Sequence, residues 1–288
     1  MGKYIINFTP NGMIPTKGMT PHIPVNPSEI INEVLEARKY GISIVHLHAR
    51  NSAGEPAWNK EIYKEIIDGI RREDGYSNDS LIICVSTSGR NWPDFERRSE
   101  CLELEGASKP DMASLTLSSL NFYGSASVNS PEMIQKLAAK MIEKGIKPEL
   151  ETFDSGMVNY AKYLHKKGLL KPPFYFNIIL GNIFNAQAGL IDTGNILAQL
   201  PENSYWSLGG IGAEQLKMNV TGILFGGGIR IGLEDNLHFD GDRKQLASNM
   251  DLLKRITEIA EKTGAQPYST AEARQILGLT INEMSPRK

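Results

Sequence analysis

Gly41-Ile42-Ser43-Ile44-Val45-His46-Leu47-His48-Ala49-Arg50 reads as a short apolar strand, Ile42 to Val45, that ends in two histidines. Side chains alternate faces along a strand, so His46 and His48 point the same way. Their Cα atoms are then roughly 6.5 Å apart, close enough for both imidazoles to converge on one metal ion. Zinc is the expected ion, because neutral imidazole suits it and a catalytic site needs few protein ligands. The plainer reading is two satisfied histidines beside a loop, and a third ligand elsewhere decides between them.

Working outward, the same unit recurs. Lys3 to Phe8 is a first strand, followed by a long Pro/Gly-rich loop from Thr9 to Asn26. Such loops are uncommon and often functional. Asn26 caps a helix with Pro27 at its first position, and Gly41 is a plausible residue just past its end. Strands follow at Leu81–Val85, Met112–Leu117, Pro148–Phe153, Pro173–Leu180, Ser204–Leu208 and Ile229–Leu233. Helical patterns separate them, near Asn59–Arg72, Pro93–Leu104, Ser130 onward, Asp154–Lys167, Gly189–Leu200 and Ala213–Leu224. A last long helix is expected from about Arg243 to Lys262. Ser269-Thr270-Ala271-Glu272 is a capping box that opens a short terminal helix.

Strict βα alternation requires a parallel sheet, because parallel strands need crossover helices. Eight such units predict an α/β fold of the (β/α)8 TIM-barrel type, with a doubly wound open sheet as the alternative. No linker or composition shift divides the chain, so residues 1–288 are expected to form a single domain with a short C-terminal helical extension.

The bulk properties narrow the function. The chain has 288 residues, 41% hydrophobic and 22% charged, and a net charge of −2, which leaves no electrostatic footprint for nucleic acid or a membrane surface. Cys84 and Cys101 are the only cysteines, too few for a disulfide framework or a Cys-rich zinc site. No run approaches the roughly 18–20 apolar residues of a membrane span, and the N-terminus lacks a signal-peptide pattern. A cytoplasmic enzyme is the expectation.

Active sites of such barrels lie at the C-terminal strand ends. Polar residues gather there: Thr9–Asn11, His46, His48 and Arg50, Ser86–Arg90, Thr116, Glu149 and Glu151, and the group Arg230, Glu234 and Asp235. In Ile229-Arg230-Ile231-Gly232-Leu233-Glu234-Asp235, an extended strand would put 230, 232 and 234 on one face. Glu234 is then a fitting third ligand, giving a His2Glu set with an open position. Asp235 suits a base or a carboxylate behind the ligands, and Arg230 can hold a carboxylate or lower a neighbour's pKa. A purely structural Arg–Glu pair is the competing reading. Asn11, Arg50, Thr87, Ser88 and Thr116 are the candidate substrate contacts. Gly226-Gly227-Gly228 precedes a strand rather than a helix, so it is not a phosphate-binding loop of known type. His22, His165 and His238 have no spacing that singles them out.

Together these motifs resemble the β-keto acid cleavage enzymes, whose prototype is the 3-keto-5-aminohexanoate cleavage enzyme. The resemblance covers nearly the whole chain. It rests on His46-Leu47-His48-Ala49-Arg50, Pro24-Val25-Asn26-Pro27-Ser28-Glu29-Ile30, Ser86-Thr87-Ser88-Gly89, Met112-Ala113-Ser114-Leu115-Thr116, Pro148-Glu149-Leu150-Glu151-Thr152-Phe153-Asp154 and Arg230-Ile231-Gly232-Leu233-Glu234-Asp235-Asn236. It implies a zinc-dependent barrel that converts a β-keto acid and acetyl-CoA into acetoacetate and a new acyl-CoA. It further implies His46, His48 and Glu234 as zinc ligands, Arg230 and Asp235 as a catalytic pair, Ser86 as the active-site serine, and Glu149 or Glu151 as an active-site glutamate. A homotetramer is likewise implied. The chain departs from the family pattern at Phe8-Thr9-Pro10-Asn11-Gly12, where a Thr-Gly-Ala type sequence is expected, and at Ser88, where glycine is usual. The alternatives are a zinc hydrolase or lyase without CoA on the same barrel, and a non-catalytic barrel with a structural zinc.

Overall fold

The computed structural model describes residues 2–279 and 281. The strands are β1 (Ile6–Phe8), β2 (Ile44–Leu47), β3 (Ile82–Val85), β4 (Met112–Thr116), β5 (Lys147–Thr152), β6 (Phe174–Leu180), β7 (Ser204–Gly210) and β8 (Gly228–Ile231). They pair in parallel and in chain order into a closed barrel. The ring closes where β8 meets β1, with Ile229, Arg230 and Ile231 opposite Ile6, Asn7 and Phe8. Closure excludes the open-sheet alternative and confirms a (β/α)8 barrel.

The helices follow the expected caps. Helix α1 (Pro27–Ala37) starts where Asn26 Oδ1 accepts the Glu29 N–H at 2.9 Å. Helices α2 (Lys60–Asp74), α3 (Phe95–Ser99), α4 (Pro131–Lys144), α5 (Ser155–Lys166), α6 (Leu190–Ala198), α7 (Glu214–Leu224) and α8 (Asn249–Thr263) follow β2 to β8 in turn. The apolar residues on the outer faces of the strands, such as Val45, Leu47, Ile83 and Val85, join the helices in one large core. The inward residues Ile44, Ile82, Cys84, Met112 and Tyr175 form a separate cluster inside the barrel.

Three elements differ from the sequence reading. Lys3–Tyr4 leaves the barrel and pairs instead with Gln266–Pro267. The helix expected from Pro93 to Leu104 is a short α-turn continued by 3-10 geometry at Glu100–Glu103. The helix expected from Arg243 begins only at Asn249. Its true start is the capping box of Ser248 and Asp251, and upstream of it the Asp240 carboxylate accepts the backbone N–H groups of Lys244 and Gln245 and holds a turn.

The terminal helix α9 (Thr270–Leu277) closes the floor of the barrel, with Ala273 and Leu277 packed on Ile44, Ile82 and Tyr175. Arg274 on α9 is fully buried. It donates to Asp111 Oδ1 at 2.8 Å, Ser80 O at 2.9 Å and Leu81 O at 2.9 Å. Removing it leaves the largely buried Asp111 carboxylate with Arg71 and the Ile83 N–H on Oδ2 but no partner on Oδ1. Arg274→Met is therefore expected to destabilise the fold by about 3–5 kcal/mol in urea unfolding. A change within about 0.5 kcal/mol, the usual range for a surface substitution, would deny the floor contact that role.

Candidate active site

On β2 and β4 the inward face grows more polar toward the C-terminal end, from Ile44 and Met112 to His46 and Thr116. On β2 the inward residues run Ile44, His46 and then His48 just past the strand. The two imidazoles meet with Nε2 atoms 3.2 Å apart. Glu234 completes the group, with Oε1 3.1 Å from His48 Nε2 and Oε2 3.9 Å from His46 Nε2. One ligand atom from each of the three residues lies within 4.8 Å of the others.

Glu234 does not reach this point along an extended strand, as the alternation had suggested. Strand β8 ends at Ile231, and a turn at Gly232 follows, where Asp235 N–H and Asn236 N–H donate to Gly232 O. Gly232 has φ +153°, and an added methyl there would stand 2.0 Å from Thr9 O. Gly12, at φ +66°, leaves the space into which Glu234 packs; a methyl there would stand 2.5 Å from Glu234 Cγ. Both positions require glycine.

The residues present fit a divalent metal. Glu234 Oε2 is buried with no hydrogen-bond partner, and two imidazole nitrogens face each other beside it. His46 Nδ1 lies 2.6 Å from Glu149 Oε2, so an Nδ1–H donated to that carboxylate leaves Nε2 free to ligate. Burial opposes charge on His46, but Glu149 and Glu234 outweigh it and raise the pKa to about 9. Burial pulls His48 down instead.

Glu149 and Glu151 divide their work. Glu149 is fully buried inside the barrel and accepts Asn7 Nδ2 at 2.6 Å and Asn177 Nδ2 at 3.1 Å. Glu151, two residues nearer the mouth, lines the cavity and accepts the Thr116 hydroxyl at 2.6 Å. Cys84, His46 and Glu149 also form a compact trio. That trio is sealed in the barrel and already hydrogen-bonded, and burial pushes the Cys84 thiol well up, so it reads as a polar core rather than a metal centre.

Arg230 joins the metal-ligand group to Asp235. Its Nε and Nη2 grip Asp235 at 2.6 and 3.2 Å, and Nη2 lies 2.9 Å from Glu234 Oε1. Its Nη1 is buried with no hydrogen-bond partner. Burial raises Asp235 above the usual carboxylate range, with Arg230 opposing and Glu234 assisting. Burial also disfavours charge on Glu234, but Arg230 and the histidines overcome it and hold the group well below that range. Ser86 stands at the same mouth, its Oγ accepting the Ser88 N–H at 3.2 Å.

The constellation can be set beside known proteins. A profile of the beta-keto acid cleavage enzymes matches residues 3–279. The chain belongs to the β-keto acid cleavage enzyme family. It is 36% identical over 282 residues to the 3-keto-5-aminohexanoate cleavage enzyme of Fusobacterium nucleatum, covering 97% of this chain and 99% of the relative. It is 33% identical over 288 residues to the 3-oxoadipate:acetyl-CoA acetyltransferase of Cupriavidus necator, covering 98% and 97%. Among solved structures, the ternary complex of ObcA with a C4-CoA adduct and oxalate shares the fold, with TM-score 0.76, 20% identity, and coverage of 90% of this chain and 68% of that one.

For this member of the family, a cavity of about 630 Å³ opens above the cluster. Ser86, Ser88, Thr116, Glu151, Arg230, Glu234 and Asp235 line it. Three expected substrate contacts lie elsewhere. The Asn11 amide is occupied by backbone, donating to His48 O at 2.9 Å and accepting the Gly12 N–H at 2.9 Å. The Thr87 hydroxyl donates to Ser114 O at 2.6 Å. Arg50 is buried, donating to Gly12 O, Pro15 O and Gly54 O, and so clamps the first loop. Each polar group met a backbone partner before it could reach the cavity.

Other positioning residues escaped the sequence reading. Asn249 at the start of α8 accepts Leu233 N–H and donates to Pro10 O, pinning the Glu234 turn to the first loop. Asn219 donates to Leu208 O and Arg230 O. Asn7 and Asn177 did leave a trace, since each interrupts an apolar strand. Glu149→Gln is expected to keep the fold and weaken divalent-metal binding about tenfold to a hundredfold in a chelator competition titration. Glu234→Gln should lower the bound metal measured directly by mass spectrometry. Wild-type affinity in Glu149→Gln would remove that carboxylate from ligand orientation.

Proposed function

We propose that this protein is a zinc-dependent acyltransferase that converts a β-keto acid and acetyl-CoA into acetoacetate and a new acyl-CoA. The observation that carries this reading is the convergence of His46, His48 and Glu234 beside the Arg230–Asp235 pair under one cavity, in a chain of this family. The names of several relatives share acetyl-CoA as co-substrate, among them the 3-dehydrocarnitine:acetyl-CoA trimethylamine transferase of Rhizobium meliloti. Zinc is assigned because two imidazoles and one carboxylate with an open position suit it. Bound there, it would act as a Lewis acid on the keto acid's oxygens.

The chain's own groups account for the proton and charge handling. Asp235, a carboxylate whose pKa burial has raised, takes the proton from the carbon between the carboxylate and keto groups. Arg230 fixes its orientation through two hydrogen bonds. Ser86 presents a hydroxyl at the same mouth. The resulting carbanion attacks the acetyl thioester and releases CoA thiolate. Return of that thiolate to the original keto carbon breaks the carbon–carbon bond and gives acyl-CoA, and the proton held on Asp235 returns to the carbanion left behind, giving acetoacetate. The homotetramer and cytoplasmic setting implied by the family resemblance belong to the same proposal.

Purified protein incubated with acetyl-CoA and a panel of β-keto acids is expected to release acetoacetate, lose that activity on chelation and regain it with zinc. Metal-loaded protein that releases none would favour the CoA-independent hydrolase or lyase. Asp235→Asn should retain zinc and lose about a hundredfold to ten-thousandfold in kcat. Near-normal turnover in that variant would exclude Asp235 as the base.

A further inference from the structure

Charge is unevenly distributed over the cavity lining. At the inner end Glu234 and Asp235 pair with Arg230, and Glu151 is held by Thr116. The remaining charged side chains on the lining are two cations, Arg90 and Arg243. Arg90 follows Ser86 and Ser88 on the loop after β3. Its only hydrogen bond among the described residues runs from its backbone N–H to Ser88 Oγ, at 3.4 Å. The contrast with Arg50, Arg98 and Arg274 is clear, because their guanidinium groups are occupied by backbone carbonyls. Arg90 instead lies over the Phe122 ring, 3.7 Å from its centroid, which leaves the donors at its edge open.

We propose that Arg90 determines specificity by binding a second anionic group, the distal carboxylate of a dicarboxylic β-keto acid. Arg243 adds positive potential at the rim. This rests on the acyltransferase reading above and extends it by naming the substrate class. Burial works against the charge of Arg90, while Glu234, Glu151 and Asp235 support it, so the guanidinium sits within the field of the reacting end. The apolar lining residues Phe122, Phe153, Ile179 and Ile211 suit the methylene chain that separates two carboxylates. A cationic tail would meet two arginines, and the Glu151 carboxylate on the lining is already engaged by the Thr116 hydroxyl and faces Arg230. A CoA phosphate offers the same anionic chemistry as a distal carboxylate, and the two belong to different co-substrates, so kinetics separates them.

The test compares 3-oxoadipate with its distal primary amide, matched in length, under saturating acetyl-CoA. Wild type is expected to favour the diacid about tenfold or more in kcat/KM. Arg90→Gln should collapse that ratio through the keto acid's KM, and Arg90→Lys should restore part of it. A loss that appears in the acetyl-CoA KM instead would assign Arg90 to a CoA phosphate and overturn the proposal. Equal use of acid and amide by wild type would also overturn it while leaving the acyltransferase reading intact. No acetoacetate from any β-keto acid would overturn that reading, and the Arg90 assignment with it.

Discussion

The carboxylate of Glu149 is the point on which the site depends. It lies wholly inside the barrel, where an unpaired charge would be very unfavourable. It is tolerated because Asn7 from β1, His46 from β2 and Asn177 from β6 all converge on it. Strands β1 and β5 lie on opposite sides of the ring, so the Asn7–Glu149 bond crosses the barrel interior. One buried charge thus ties distant strands together and sets the His46 ring so that Nε2 faces the mouth.

Above and below that layer the same inward face changes character. Toward the floor it is apolar, with Ile44, Ile82, Met112 and Tyr175 sealed by α9 and the Arg274–Asp111 pair. Toward the mouth it carries His48, Thr116, Glu151 and Arg230. The strand period of two produces this gradient without extra structure. The floor supplies hydrophobic stability, and the mouth holds the groups whose charges must be balanced by one another.

The loops complete what the strands begin. Glu234 and Asp235 are adjacent in sequence and share Arg230, but the turn at Gly232 sends Glu234 between that arginine and the histidines and leaves Asp235 on Arg230 alone. Asn249, Gln215 and Asn219 hold that turn and its strand by backbone hydrogen bonds. Arg50 and Asn11 perform the same service for the first loop. Polar residues at strand ends therefore fall into two kinds, those that face the cavity and those consumed by loop backbone.

Much of this was legible in the chain itself. The βα alternation determined eight parallel strands, because parallel strands need crossovers, and the pairing of β8 with β1 decided that they close into a ring. The spacing of His46 and His48 determined their convergence, since alternate strand residues share a face. Caps at Asn26, Ser130, Asp154 and Ser269 are local chemistry and appear where the sequence places them. The tertiary structure alone decided that Glu149 faces inward to His46 while Glu151 faces the cavity, although both share one side of β5. It decided that Asn11, Thr87 and Arg50 serve backbone and that Arg90 stays open over Phe122. Those outcomes depend on which partner arrives from a strand or loop far away in sequence, and no local pattern encodes that distance.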